Sequence, residues 1–150
     1  MTNSVRQLLS RIADANAPFG YEPLPAASSE QIQSMQNDLL AEFGVFVPAE
    51  FVEVLETTNG FQWNGAYFCS THPVPYRPNG NVLTPSVLNE TAAHWDWLAA
   101  VVLGHDEDQV FCYRPSPRGY FAIVTGTTSP IALFLDLEGL LHHVFENRLD

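Results

Sequence analysis

Apolar residues recur at helical spacing along the first third of the chain. Val5, Leu8, Leu9 and Ile12 predict an amphipathic helix over residues 3–15, and Ile32, Met35, Leu39, Leu40 and Phe43 predict a second one. Ser28 and Gln31 stand as a capping box before that second helix, and Gly44 sits where a left-handed C-terminal cap belongs. Between the two, "NAPFGYEPLPAASS" carries three prolines and a glycine, which predicts an irregular connection over residues 16–29. Pro48 opens a third helix, because a first-turn residue needs no backbone N–H; Glu50 complements its dipole, and Asn59-Gly60 stops it. Phe51, Val52 and Leu55 then face the core, which leaves Glu53 and Glu56 pointing outward, three apart and with no cation beside them in the sequence.

The hydrophobic period changes after Gly60. In "FQWNGAYFCS", Asn64-Gly65 separates two aromatic runs and tolerates positive φ at both central positions of a tight turn, so a β-hairpin is expected. Alternation places Phe61 and Trp63 on the same face of the first strand, and the expectation for Trp63 is burial. "THPVPYRPNGN" is proline-dense and reads as loop; Thr84 and Pro85 then start a helix with Leu88, Thr91 and Trp95 along one side. Four short runs follow, "LAAVVLG", "QVFCYR", "YFAIVTG" and "IALFLD", joined by "HDED", "PSPRG" and "TTSP" at hairpin spacing. "LEGLLHHVFENRL" reads as a closing helix that Gly139 weakens. Helices first and strands later imply an α+β fold: a mostly antiparallel sheet of about five to six strands covered by three to five helices, in a single domain over residues 1–150.

Composition supports that picture, since 46% hydrophobic residues against 15% charged ones in 150 residues is enough to bury one core. Charge changes it. Seventeen acidic residues face six basic ones, all arginine, for a net charge of -11 with no lysine. Most carboxylates therefore lack a cationic neighbour, and the summed field repels phosphate backbones and anionic lipid while attracting basic proteins. Direct nucleic-acid binding is not expected. "MTNSVRQLLSRIADAN" lacks the basic and apolar blocks of a signal peptide and "WLAAVVLG" is too short to span a bilayer, so a cytoplasmic protein with no membrane partner is expected. Cys69 and Cys112 lie far apart in strand-like runs and read as free, buried, apolar residues.

No motif for a reaction is visible. A P-loop needs a lysine and there is none; no G-x-G occurs for a dinucleotide turn, and no C-x-x-C for zinc. His142 and His143 are adjacent and diverge by about 100° on a helix, unlike the i, i+4 pair of a zinc protease. A Cys69–His72 couple or a His94–Asp96 pair would need an elbow or a third group that nothing in the sequence supplies. The expectation is a protein that is not an enzyme and uses no cofactor or metal; the alternative it is weighed against is a small-molecule-binding or hydrolytic enzyme that uses the aromatic residues as a pocket. "HDED", His105 to Asp108, lacks the spaced acids and central glycine of a calcium loop and reads as a polar hairpin tip.

The segment "IQSMQNDLLAEFGVFVPAEFVEVLETTNGFQW" resembles the SUKH superfamily, whose yeast members are the Smi/Knr cell-wall regulators. The matching positions are Phe43-Gly44, Val47-Pro48, Phe51, Leu55, Asn59-Gly60 and Trp63, and the detailed similarity spans roughly residues 30–70. In "VLGHDEDQVFCYR" an acidic turn replaces the glycine-rich one frequent in the family. The resemblance implies a mixed α+β fold and, for bacterial members, an immunity protein that binds and neutralises a toxin, frequently a nuclease; the yeast relatives imply the alternative of an intracellular regulatory or scaffold module. A nuclease carries a cationic cleft, so the charge reading and the resemblance converge on a basic protein partner. The expected attractive field comes from Glu53, Glu56, Asp106, Glu107 and Asp108. Trp63 and Tyr76, with Tyr67, are the expected aromatic anchors.

Overall fold

Thr2 is extended, and its side chain accepts a hydrogen bond from the Val5 amide, satisfying one of the free N–H groups at the start of α1 (Asn3–Asn16). The structure is a computed structural model that describes residues 1–75, 81–82, 84–91, 100–127 and 129–149. Helix α1 buries Val5, Leu8 and Ile12, and a short 3-10 turn, Ala17–Phe19, follows it. The irregular connection is fastened to the elements it passes: the Ala27 amide donates to the Leu55 carbonyl at 2.8 Å, and the Asn59 amide to the Pro25 carbonyl at 2.9 Å. Helix α2 (Ser29–Phe43) has both halves of the capping box formed, and Gly44 closes it with φ of 67°. Its Gln36 side chain then grips Val47 through two 2.8 Å bonds, one to each backbone polar group, and so fixes where the next helix starts.

That helix, α3 (Ala49–Leu55), differs from the sequence expectation at both ends. Pro48 is the extended N-cap, one position before the helix. Asn59-Gly60 does not stop α3; the helix ends at Leu55, and the amides of Thr57 and Thr58 both turn back onto the Val54 carbonyl. The core face is Phe51, Val54 and Leu55, all fully buried, an i, i+3, i+4 set in which Val54 takes the place expected of Val52. Asn59 has a different task. It is buried, and its amide binds Thr71 twice, at 2.8 and 3.0 Å, which ties the end of this segment to the chain leaving the first hairpin.

That hairpin pairs β1 (Phe61–Trp63) with β2 (Ala66–Phe68) across Asn64 (φ 49°) and Gly65 (φ 85°), both in the left-handed region that a tight turn of this type needs. β3 (Val74–Pro75) and β4 (Asn81–Val82) form a separate antiparallel pair inside the stretch expected to be loop. Two-residue strands carry too little periodicity to be seen in a sequence. Helix α4 (Pro85–Thr91) follows, and its buried Asn89 bonds both the amide and the carbonyl of Val102. Then comes the meander: β5 (Val101–His105), β6 (Gln109–Pro115), β7 (Arg118–Val124) and β8 (Pro130–Phe134). The six-stranded sheet has the order β1-β2-β5-β6-β7-β8 and is antiparallel throughout, so the fold is α+β as the chain's patterning implied.

One face of the sheet carries a row of aromatic rings. Phe61, Phe68 and Phe111 stack at centroid distances of 5.1 and 5.5 Å, and Phe51 of α3 and Phe145 of α5 (Leu137–Phe145) pack onto them. Each buried ring of this kind contributes roughly 1.5–3 kcal/mol relative to exposure. Asp136 caps α5 by accepting from the Gly139 amide at 2.8 Å, and the helix stops at Phe145, four residues short of the expected end. Gly104 lies inside β5 at a bulge; a Cβ there would sit 2.3 Å from the Tyr67 carbonyl oxygen, so β2 and β5 approach as closely as they do only because this residue has no side chain.

Candidate functional site

Helix α3 is short, and its inner arc is spent on Phe51, Val54 and Leu55, so Glu53 and Glu56 are left on its solvent side, as expected. Their surroundings were not fully foreseen. The N-terminal ammonium of Met1 pairs with the Glu53 carboxylate, and Arg6 shares a shallow cavity with Glu53, Glu56 and Thr57, so these two acids are not without cations. Immediately beside it, and sharing Met1, Arg6 and Thr57, opens a cavity of about 320 Å³ whose walls include Leu9, Ile12, Leu24 and Phe61. The walls are mostly apolar because α1 turns one aliphatic side toward the Pro-rich connection, whose single 3-10 turn does not cover it. Two of the polar side chains in the wall are engaged: Asn16 donates to the Gln62 carbonyl at 2.9 Å, and the Thr58 hydroxyl donates toward the Leu24 and Gly60 carbonyls at 3.1 and 3.0 Å.

Glu50, on the same helix, is occupied internally. Its carboxylate accepts from the Arg118 guanidinium, from the Tyr120 hydroxyl at 3.0 Å and from the Leu137 amide at 3.3 Å, which joins α3 to β7 and to the first residue of α5. Burial, reinforced by this carboxylate, pushes the Tyr120 hydroxyl well above the ordinary phenol range. The sequence offered Glu50 only as a dipole partner, and nothing local points to residues seventy positions away.

The loop at residues 105–108 departs from the expectation. Asp106 was expected to display its charge, yet its side chain is 6% exposed. One oxygen accepts from the amides of Asp108 and Gln109 at 2.8 and 2.6 Å, and the other pairs with Arg148 at 2.7 Å. Burial raises the Asp106 pKa, but the Arg148 hydrogen bond, the two amides and the Arg148 charge outweigh it and hold the carboxyl below its ordinary value. Glu107 and Asp108 remain exposed, with a Glu107 oxygen beside Gly65 of the hairpin turn.

Trp63 is part of the same assembly and is half-buried. Its indole N–H donates to the Arg148 carbonyl at 2.6 Å, and Phe19 lies against its ring at 6.0 Å, so it fastens the C-terminal segment to the hairpin, partway between the burial expected from strand alternation and a free anchor. Tyr67 stacks on His105 at 5.3 Å. Tyr76 lies outside the described residues, as do His94 and Asp96. The expected binding residues thus fall into two groups: Glu53 and Glu56 around Met1 and Arg6, and Trp63, Asp106, Glu107 and Asp108 around Arg148 and the hairpin turn. No hydrogen bond, ion pair or shared cavity joins the groups among the described residues.

The nucleophile candidates are poorly placed. The Cys69 thiol is buried, which pushes its pKa far above the ordinary thiol value, and burial pushes Cys112 up to about 12, so neither forms a thiolate near neutral pH. His72 is exposed and bonds Thr71 at 3.0 Å, while Cys69 is buried, and no hydrogen bond joins the two among the described residues. Ser4 and His142 do meet, at 2.8 Å between the hydroxyl and Nε2, but neither lines the cavities described above and no third group orients the ring among the described residues. No cluster of three His, Cys, Asp or Glu side chains suited to a metal occurs among the described residues, and no helix there is long and apolar enough to cross a membrane. No model of a known protein family matches the chain, and no curated protein matches it in sequence.

Proposed function

We propose that this chain is a protein-binding domain of the SUKH immunity type, which neutralises a cognate basic toxin, a nuclease being the class that fits best, by occupying its cationic cleft. The observation that carries the reading is the pairing of Glu53 and Glu56 with the adjoining apolar cavity, on a chain of net charge -11 without lysine. Interfaces that bind tightly have a desolvated apolar centre and a charged rim: the centre sets how long the complex lasts, the rim how fast it forms. The cavity can accept one apolar side chain of a partner while flanking arginines or lysines of that partner meet the two glutamates. Glu107 and Asp108 add to the long-range field.

The residues that carry the family resemblance support the fold side of this reading more than the binding side. Val47, Phe51 and Leu55 are buried core, and Asn59 is a buried bracket. The test is co-expression with each nuclease-type toxin domain of the same genome. Rescue of growth by one of them, through a complex whose formation slows steeply with added salt, is the expected result; rescue of none removes the immunity role. Capture of endogenous proteins that are not toxins would favour the regulatory or scaffold alternative. A second reading, binding of a small apolar molecule, is favoured by the cavity's volume of about 320 Å³, at the lower end of the range typical of ligand sites.

A further inference from the structure

The sheet has two ends, and they are finished differently. At one end β1 is followed by the tight turn into β2 and is fastened through Trp63 to the C-terminal segment. At the other end β8 pairs with β7 alone, and among the described residues no hydrogen bond reaches the outer backbone groups of residues 131–135. Natural edge strands are blunted by charges, prolines or bulges. Here the proline and the bulge sit at the first two residues only, and "IALFL", Ile131 to Leu135, carries no charge. Leu133 lies directly opposite Phe121 and shares its face of the sheet. Ile131 at the bulge, Leu133 in the strand and Leu135 just past its end are spaced two apart and are 55%, 69% and 84% exposed, half of the large apolar residues that are exposed among the described residues.

We propose that β8 is a self-association edge, where a second copy of this chain adds its own β8 antiparallel to form a continuous sheet across a two-fold axis centred on Leu133. The register follows from the pattern. Opposed residues of an antiparallel pair must share a face, and centring on Leu133 sets Leu133 against Leu133 and Ala132 against Phe134, with Ile131, at the bulge, brought near Leu135, the residue just past the strand. It also leaves Pro130, which has no N–H, outside the ladder. A centre at Ala132 would bring Pro130 into the ladder and set Leu135 against Ser129.

Charge selects a second copy over a basic stranger for this edge. Two molecules of net charge -11 repel wherever acids face each other, but the seam itself is uncharged. The nearest carboxylate in sequence, Asp136, stands three residues from the axis, so the two copies of it lie roughly 20 Å apart at about 3.3 Å per residue. That exceeds the screening length of about 8 Å at physiological ionic strength. A basic partner would gain nothing from an uncharged strip. The six apolar side chains supply on the order of 400 Å² of buried surface, below the roughly 1,000 Å² of a durable interface, so the dimer is weak and forms only at high protein concentration.

The test is sedimentation of the full chain from about 10 µM to 1 mM, with cross-linking of single cysteine variants. The mass is expected to rise toward that of a dimer, and L133D to weaken association at least tenfold with an unchanged circular dichroism spectrum. Cys69 and Cys112 are buried, so an introduced thiol reacts alone. Leu133→Cys should oxidise to a linked dimer, and Ala132→Cys, set against Phe134 of the second copy, should do so far more slowly. A monomeric mass throughout, equal cross-linking of the two variants, or protection of residues 131–135 from hydrogen exchange only when a different protein is added would each overturn the assignment.

Discussion

The outer face of α3 and the loop at residues 105–108 present the same chemistry in the sequence, several acids with no adjacent cation, and the fold treats them in opposite ways. Glu53 and Glu56 stay on the solvent side of their helix, Glu53 paired with the Met1 ammonium and both beside Arg6, with no backbone amide among the described residues drawing either inward. Asp106 is drawn inward, because a tight turn aims the amides of Asp108 and Gln109 at its carboxylate and Arg148 arrives from the end of the chain. A helix offers no free amide in its last turn to an acid on its surface, whereas a turn offers two to an aspartate at its start. An acidic residue is therefore available to a partner only where the local backbone has nothing to donate.

The largest expected effect follows from removing the internal acid. Asp106→Ala leaves Arg148 and two amides without their acceptor, and breaking such a mostly buried pair costs about 3 kcal/mol, which thermal unfolding should report as a fall of roughly 6–12 °C in Tm. Association with a basic partner should be unaffected. An equal loss of stability in Asp108→Ala would break the contrast between neighbours in this loop.

Acid titration sharpens the same point. The Asp106 pKa is lowered in the folded state, so the proton binds the unfolded chain more readily. Its contribution is complete above the ordinary aspartate value of about 3.9 and disappears as pH falls through the lower folded value. The stability gap between the natural chain and Asp106→Asn should be constant at neutral pH and close below about pH 4 in urea unfolding. A gap that closes on the alkaline side would contradict the pairing.

Gly104→Ala reaches the loop from its other side. The added methyl meets the Tyr67 carbonyl at 2.3 Å; neither backbone can withdraw without unzipping β2 from β5, and overpacking of this kind costs about 2 kcal/mol. Chemical denaturation measures it, and a neutral result would mean that the bulge can relax.

How much of this was legible follows one physical line. The helices of the first half show in the sequence because capping, the left-handed glycine and the apolar arc all lie within four residues of one another, as Ser28, Gln31 and Gly44 illustrate. The hairpin at Asn64-Gly65 and the four meander strands show for the same reason. Glu50 with Arg118, Trp63 with Arg148 and Asp106 with Arg148 did not, since each joins residues more than forty positions apart. The apolar cavity was equally invisible: it exists because the Pro-rich connection passes α1 without filling the space beside it. Periodicity records which face of an element is apolar and is silent about what covers that face.

The smallest effect on stability, and the most informative for function, is expected from the outer acids. Reversing Glu53 and Glu56 together to arginine should change folding stability by about 1 kcal/mol, less than Asp106→Ala, because both carboxylates lie on the solvent side even though Glu53 pairs with Met1. Association with a basic partner at low salt should slow roughly tenfold and converge with the natural rate as salt screens the field. Reversing Glu107 and Asp108 is the matched control, since it alters net charge by the same amount on a different surface. If both double variants slow association equally, the partner responds to total charge and the α3 face has no special standing. If only the first does, the cavity beside α3 lies in the interface, and replacing Leu9 on its wall with lysine should then raise the dissociation rate while leaving the low-salt association rate nearly unchanged.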